Sequence, residues 1–208
     1  MIALLLACGS PPTPPGSMPT GGEPIPTGAP GTPVPEQPLF SPAEAVDLDP
    51  DPDVLEVQLT AAPYTWAAGD GFAYNQQVPG PTLRAKVGDT LRVTLDNQLG
   101  MPTTIHWHGV DVPYAMDGAG WQIQPVQAGA TFVYEFPLEQ AGTFWYHPHF
   151  DTEHQVDLGL YGALIVEDPA DPPVDDELVL VFDSVGEVAQ GEQHPHVDPS
   201  PTRWWVNG

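Results

Sequence analysis

The stretch that decides the fold is VGDTLRVTLDN, residues 87–97. Its apolar side chains, Leu91, Val93 and Leu95, alternate with polar ones. Successive side chains of an extended chain point to opposite faces, so these three share one face. Gly88 and Asp89 form a turn signal directly before the alternation. The stretch therefore predicts a strand with one buried face that is entered through a tight turn.

The same pattern recurs on both sides of this stretch and predicts further half-buried strands. Two continuous apolar runs, residues 161–166 and 178–182, predict strands that are buried on both faces. No stretch of ten residues has the 3.6-residue period of a helix. About eight short strands within residues 54–183 predict an all-β domain, either an antiparallel β-sandwich or a Greek-key barrel. The other alternating sets are Leu55, Val57 and Leu59; Leu83, Ala85 and Val87; and Phe132, Tyr134 and Phe136.

The composition changes at both ends of this predicted domain. Residues 9–53 hold 14 of the 28 prolines and no lysine or arginine. Such a segment buries too little apolar surface to offset its chain entropy, so we interpret it as a disordered, proline-rich N-terminal tether. After Asp183 the chain becomes polar and then reads RWWVNG over residues 203–208. We interpret residues 184–208 as an interdomain linker and the first strand of a second domain that this chain lacks.

The first eight residues, MIALLLAC, contain a short apolar run that ends at Cys8. The run is far below the ~20 residues that cross a bilayer. Its end, LLAC, resembles a bacterial lipobox, in which the cysteine becomes the lipidated first residue of the processed protein. The resemblance implies a truncated lipoprotein signal over residues 1–8, a lipid anchor at Cys8 and an exported, periplasmic or cell-surface protein. The alternative is an apolar N-terminus that matches by chance.

Charge and cysteine content exclude several functional classes. The chain has 28 acidic and 4 basic residues and a formal net charge of −24. Nucleic-acid binding needs clustered lysine and arginine, so we exclude nucleic acid as a partner. Docking on an anionic membrane through charge alone is excluded for the same reason. The single cysteine excludes an intrachain disulfide and a cysteine-rich zinc or iron–sulfur site.

Four of the seven histidines form two His-x-His pairs, HWH at residues 106–108 and HPH at residues 147–149. Residues i and i+2 of a strand share a face and lie ~6.6 Å apart. Four convergent neutral imidazoles are costly to bury without a metal or hydrogen-bond partners. One pair alone would fit ordinary cross-strand packing. Together the two pairs predict a site for copper, zinc, iron or nickel, the metals that imidazole suits.

The motifs around these pairs then identify a family resemblance. They are YNQQVPGPTL (74–83), VGDTLRV (87–93), TIHWHG (104–109), DG (117–118), YEF (134–136), GTFWYHPH (142–149) and GLYGALIV (159–166). In this order they resemble the first cupredoxin domain of a multicopper oxidase. The resemblance covers about residues 54–183 and implies a cupredoxin-like Greek-key sandwich or barrel. It does not separate laccase-like from cuprous-oxidase-like members.

The resemblance also implies a function and a ligand set. In this family a substrate is oxidised at a type 1 copper, and a trinuclear copper cluster then reduces dioxygen to water. His106 is implied as a ligand of the type 2 copper, and His108, His147 and His149 as ligands of the type 3 pair. The remaining cluster ligands and the type 1 site are implied to lie in C-terminal cupredoxin domains of the same protein or oligomer. We therefore expect this chain to be inactive alone, and the reducing substrate stays unknown. The alternative is a stand-alone copper-binding module without turnover.

A few further residues near the pairs have alternative interpretations. Asp117 is implied as a catalytic residue that hydrogen-bonds water near the cluster and relays protons, the alternative being an ordinary Asp-Gly turn. His154 is interpreted as a solvent-exposed loop residue and the second HPH at 194–196 as part of a loop, and Met116 as packing rather than a copper ligand. The neighbouring aromatic residues are interpreted as packing rather than redox relays: Trp107, Phe144, Trp145 and Tyr146.

Overall fold

The computed structural model describes residues 3–8, 41–120, 123–185 and 203–208. Within them the chain is built of short strands, with one α-helical segment, α1 (Thr152–Asp157), and a 3₁₀ turn at Tyr114–Met116. The strands are β1 (Ala3–Cys8), β2 (Val54–Trp66), β3 (Gly69–Tyr74), β4 (Gly80–Lys86), β5 (Thr90–Asn97), β6 (His106–His108), β7 (Thr131–Pro137), β8 (Gly142–His147), β9 (Gly162–Glu167), β10 (Glu177–Val185) and β11 (Arg203–Val206).

Two four-stranded sheets form the sandwich that the sequence predicts. Their strand orders are β3-β2-β5-β7 and β4-β9-β8-β6, and β10 forms a third sheet with β1 and β11. The predicted all-β, Greek-key-like fold is confirmed. The expectation of purely antiparallel pairing is wrong for two pairs, because β2 lies parallel to β5 and β4 lies parallel to β9. Alternation determines which face of a strand is buried but carries no information about the direction of its neighbour.

The apolar residues of β5 point into the core between the two sheets, as their alternation predicts. Leu91, Val93 and Leu95 are wholly buried there. Strand β9 is buried on both faces, since its alternate residues pack either in this core or against β10. This burial on both faces explains why no polar residues alternate with the apolar ones in residues 161–166. The sequence also predicts that residues 178–182 are buried on both faces. That prediction is wrong, because only alternate positions there are buried.

Residues 41–53, here called the strap, lie against the domain although their composition assigned them to the disordered tether. The Ala45 N–H donates to the Thr82 carbonyl at 2.9 Å. The Leu48 N–H donates to the Glu56 carbonyl at 2.8 Å. The folded part therefore includes residues from 41 onward, which corrects the boundary predicted at residue 54. Composition misses the strap because it carries no information about these partners, several of which, such as Thr82, lie far away in the sequence.

Two arginines of the sheets bind the strap by ion pairs. Arg84 contacts Glu44 at 2.7 Å, and Arg92 contacts Asp49 at 3.0 Å. Two acidic residues of the strap, Glu44 and Asp49, are thus the groups that attach it. Each arginine also contacts two carboxylates of the sheets, Glu167 and Glu177 for Arg84, and Glu56 and Glu135 for Arg92.

The two ends of the described chain meet on β10. Strand β1 pairs antiparallel with one edge of β10, and β11 pairs antiparallel with the other edge. The strand predicted within RWWVNG is confirmed, and its assignment to a second domain stays a prediction. Residues 9–40 and the second HPH at 194–196 lie outside the described residues. No helix in the described part of the chain is long and apolar enough to cross a membrane.

Candidate metal centre

The first His-x-His pair is presented by a short ladder between β6 and β8. His106 lies directly opposite His147 in antiparallel register. Because opposed residues and residues two apart share a face, His106, His108 and His147 point to the same side. Trp107 points the other way and is wholly buried in the core. The core thus anchors the strand through the residue between its two histidines.

The four imidazoles of the two pairs lie together, as the sequence predicts. The ring centre of His106 lies 5.6 Å from that of His108, 5.3 Å from that of His147 and 5.3 Å from that of His149. His106, His108 and His147 can each offer one ring nitrogen such that the three atoms lie within 4.8 Å of one another. His149 lies beside this group of three but outside it.

Backbone carbonyls determine which nitrogen two of these rings offer. Nδ1–H of His106 donates to the Asp117 carbonyl at 2.9 Å. Nδ1–H of His147 donates to the Pro148 carbonyl at 2.8 Å. A carbonyl oxygen can only accept, so both Nδ1 atoms carry a proton, and in the neutral ring Nε2 is the nitrogen with the lone pair. A metal-ligating histidine is commonly oriented in this way through its second nitrogen.

His108 and His147 form the tightest contact of the centre. Nδ1 of His108 lies 3.2 Å from Nε2 of His147. Without metal, the Nδ1–H of His108 donates to the Nε2 lone pair of His147. Metal–imidazole distances are about 2.0–2.1 Å, so one ion could contact both nitrogens once His108 carries its proton on Nε2 instead of Nδ1. A donor set of neutral imidazoles suits a late transition metal such as copper, and these residues therefore fit the metal that the resemblance implies.

Loss of solvation favours the neutral, metal-binding form of both rings, although only His147 is buried and His108 is exposed. Loss of solvation lowers the pKa of His147 to about 4. Loss of solvation, together with the neighbouring His106 and His149, lowers the pKa of His108. Both rings are therefore uncharged at neutral pH, and protons compete little with a cation for their lone pairs.

The Trp145 ring packs against both His108 and His147. Its ring stacks on His147 with centres 4.0 Å apart and planes at 24°, and its centre lies 5.0 Å from that of His108. Its side chain also packs against the buried cluster that includes Val179 and Val181 of β10. The predicted packing role of the aromatic residues is consistent with this placement. Phe144 and Met116 likewise pack against the main core, and the buried Tyr146 hydroxyl donates to the Pro81 carbonyl at 2.7 Å.

Asp117 lies against His106 rather than in a free turn. Besides its carbonyl, its carboxylate Oδ1 approaches Nδ1 of His106 at 3.3 Å. Gly118 makes this approach feasible, because its φ is +70° and a Cβ atom there would overlap the Ile105 carbonyl. The structure thus gives Asp117 a contact that orients His106, while its proton-relay role stays a prediction.

The remaining histidine near the centre does not join it. His154 is exposed, as predicted, but it lies on α1 and not in a loop. Its ring contacts Phe72, with centres 6.2 Å apart. The six-residue helix is too short to produce a periodic pattern in the sequence, which is why it was not predicted.

Three buried polar residues next to the histidines were not predicted. The Thr104 hydroxyl accepts from the His149 N–H at 2.9 Å. The Thr103 hydroxyl donates to Oε1 of Gln155 at 2.6 Å. Threonine and glutamine are common surface residues, so the sequence contains no spacing motif that marks these contacts.

A β-sandwich that gathers histidine imidazoles from two adjoining strands on one surface has the arrangement of a cupredoxin-type domain that can bind metal. Residues 57–171, more than half of the chain, match the family model described as multicopper oxidase. The chain belongs to the multicopper oxidase family, whose metal is copper and whose reactions are oxidations.

Relatives and solved structures agree with this assignment. The chain is 39% identical over 113 residues to multicopper oxidase MmcO of Mycobacterium tuberculosis, covering 54% of this chain and 22% of that protein. It is 39% identical over 114 residues to copper resistance protein A of Escherichia coli, covering 54% and 18%. The chain spans 16–26% of the length of the curated relatives compared with it.

Two solved structures show the same fold. The crystal structure of a multicopper oxidase is 30% identical with a TM-score of 0.63, covering 82% of this chain and 59% of that chain. A multicopper oxidase from Campylobacter jejuni, described as a metallo-oxidase, is 31% identical with a TM-score of 0.59, covering 64% and 30%.

Proposed function

We propose that this chain supplies part of the trinuclear copper centre of an exported multicopper oxidase. The observation that carries the proposal is the 3.2 Å contact between ring nitrogens of His108 and His147, both neutral at physiological pH. His108, His147 and His149 would hold type 3 copper, and His106 would hold type 2 copper through the Nε2 that its contact with Asp117 leaves free.

Copper held by these histidines would supply the redox chemistry that passes electrons from a substrate oxidised elsewhere to dioxygen, which would be reduced to water. The residues of this chain would bind the metal, exclude water from it and carry protons. The imidazoles bind without a charge of their own, and Trp145 excludes water from one face of His147. The Asp117 carboxylate, which is 28% exposed, can take a proton from solvent and release it next to the centre.

The rest of the reaction needs partners outside this chain. We propose that C-terminal cupredoxin domains of the same protein or oligomer supply the other cluster ligands and the type 1 copper. The one cysteine, Cys8, precedes the domain by more than thirty residues and is proposed as a lipid anchor at the end of a tether over residues 9–40. Signal cleavage at Cys8 would remove most of β1, so its pairing with β10 would exist only before processing.

Copper binding to the purified chain tests the proposal. We expect Cu²⁺ titration, followed by calorimetry and electron paramagnetic resonance, to show nitrogen ligation that His108→Ala weakens at least about tenfold. His154→Ala is the matched control, because that ring is exposed and outside the centre, and it should leave the affinity unchanged. Equal losses in both variants would contradict the proposed site.

Activity separates the oxidase from the stand-alone copper module. We expect the copper-loaded chain to lack the intense blue absorption of a thiolate-ligated copper and to consume no oxygen with a phenolic substrate. Oxygen uptake should appear when the chain is joined to a C-terminal domain that carries the other ligands, and His108→Ala should abolish it. No uptake in the joined protein would favour the module.

Localisation is tested separately. We expect mass spectrometry of the protein from bacterial membranes to find a lipid on Cys8. Cys8→Ser should leave the protein unmodified, and an unlipidated protein with an intact N-terminus would overturn the anchor.

A further inference from the structure

His149 is not held in place by the β-ladder that positions the other three histidines. Strand β8 ends at His147, and the ladder with β6 ends there as well. Pro148 follows and has no N–H to continue the pairing. The His149 ring nevertheless lies 5.3 Å from that of His106. Contacts outside the sheet must therefore determine where this ring lies.

Thr104 provides one such contact. Its Oγ1 accepts a hydrogen bond from the His149 backbone N–H at 2.9 Å. Thr104 is buried and precedes His106 by two residues. The bond therefore joins the backbone of the second histidine motif to the segment that leads into the first one. Without it, the N–H of His149 would lose the partner that fixes its position at the edge of the site.

Gln155 provides a second contact between the same two segments. It lies on α1, six residues after His149, and is wholly buried. Its Nε2 donates to the Pro102 carbonyl at 2.9 Å, and its Oε1 accepts from the Thr103 hydroxyl at 2.6 Å. Breaking such a bond leaves a buried polar group unpaired, which is unfavourable. The helix that follows HPH is thus tied to the residues that precede HWH.

We propose that Thr104 and Gln155 are positioning residues that set the distance between His149 and His106. They form a brace at the end of the β6–β8 ladder, and its loss releases His149 while the other three histidines keep their ladder positions. The role in metal binding rests on the proposed function, whereas the brace itself is a property of the metal-free chain.

Thr82 offers a matched comparison within the same domain. It is as deeply buried as Thr104, but its Oγ1 has no hydrogen-bond partner among the described residues. Thr82→Val and Thr104→Val therefore each remove a hydroxyl from a buried position, and only the second change removes a contact with His149. If the two variants differ in amide exchange or copper affinity, the difference arises from the brace and not from the loss of a buried hydroxyl in general.

Amide hydrogen exchange of the metal-free, full-length chain tests the brace directly. We expect Thr104→Val to speed exchange of the His149 N–H at least about tenfold. In this variant the N–H has lost its bond to Thr104 Oγ1, so no hydrogen bond has to break before it exchanges with solvent. Thr82→Val should leave that rate unchanged, and Thr104→Ser, which keeps the acceptor, should restore protection. A His149 amide that exchanges equally fast in the wild type and in Thr104→Val would overturn the proposal.

A double-mutant cycle with Cu²⁺ as the probe tests the consequence. We expect Thr104→Val and Gln155→Met each to weaken copper binding about tenfold in the wild-type background and not at all in His149→Ala, because both act through that ring. Equal losses in both backgrounds would show a general structural effect and refute the positioning role. If the wild type bound no copper, the proposed function would fail, and amide exchange would still decide on the brace.

Discussion

The two His-x-His pairs have the same spacing but are supported in different ways. The HWH pair lies wholly on β6, with Trp107 anchored in the core between two rings that share a face. In the HPH pair only His147 belongs to a strand, and His149 depends on side chains from other segments. An i, i+2 spacing therefore selects the face of a strand only where the strand continues, and elsewhere tertiary contacts must replace the ladder.

The largest expected difference concerns the residues between the histidines. Trp107→Ala should lower the free energy of unfolding by about 3–5 kcal/mol, because it empties a large volume in the main core. Pro148→Ala should cost about 1 kcal/mol, mainly through a more flexible unfolded chain. Urea unfolding of the metal-free chain measures both, with Trp107→Phe expected to lose less than Trp107→Ala. Similar losses for Trp107→Ala and Pro148→Ala would show that the two pairs are anchored alike.

The next largest effect is the pH dependence of stability that arises from His147, which lies on the β6–β8 ladder. Its pKa is lowered to about 4 by burial, so the unfolded chain binds a proton more readily than the folded chain below pH 6.5. Stability should therefore fall as the pH drops from about 6.5 to 4, by up to about 3 kcal/mol from this residue. His147→Asn keeps an N–H donor near the Pro148 carbonyl and should remove that part of the slope.

Two measurements check this expectation. Denaturation of the wild type and His147→Asn across that pH range gives the difference in slope, and NMR of the ring gives the pKa. A ring that titrates near pH 6.5 would contradict the expectation.

A smaller effect tests whether His108 and His147 share an ion. We expect a coupling free energy of about 1–2 kcal/mol between His108→Ala and His147→Ala in a cycle of copper affinities, since removing either ring disrupts the same contact. The pair His108→Ala and His154→Ala should be additive and serves as the control. Additivity in both pairs would mean that the two rings bind metal independently.

The smallest effect concerns Asp117. Asp117→Asn keeps the backbone carbonyl that accepts from His106 and changes only the longer side-chain contact. We expect the unfolding free energy to change by less than about 1 kcal/mol, because the carboxylate is partly exposed. If the carboxylate relays protons, oxygen reduction by the joined protein should slow far more than stability changes. A parallel fall in both would indicate a structural role alone.

Much of the fold and part of the centre could be predicted from local patterns. Alternation placed Leu91, Val93 and Leu95 in the core, and the i, i+2 rule placed His106 and His108 on one face with Trp107 behind them. These predictions are reliable because the pleat of a strand relates neighbouring residues by a fixed geometry.

Other features could not be predicted because they join residues far apart in the chain. The strap was assigned to the tether, since nothing near Glu44 reveals its ion pair with Arg84 forty residues later. The parallel pairing of β2 with β5 is likewise absent from any local pattern. The contact of Thr104 with His149 spans forty-five residues.

The sequence by itself determined the chemistry of this protein: which side chains are imidazoles, which face of each strand they occupy, and which family the motifs resemble. Only the tertiary structure decided which nitrogens meet and in what state of protonation. The Asp117 and Pro148 carbonyls select the free nitrogens of His106 and His147, and burial beside Trp145 keeps His147 neutral. The physical reason is that tautomer and pKa depend on the groups within a few ångströms of a ring, and folding brings those groups from several separate segments.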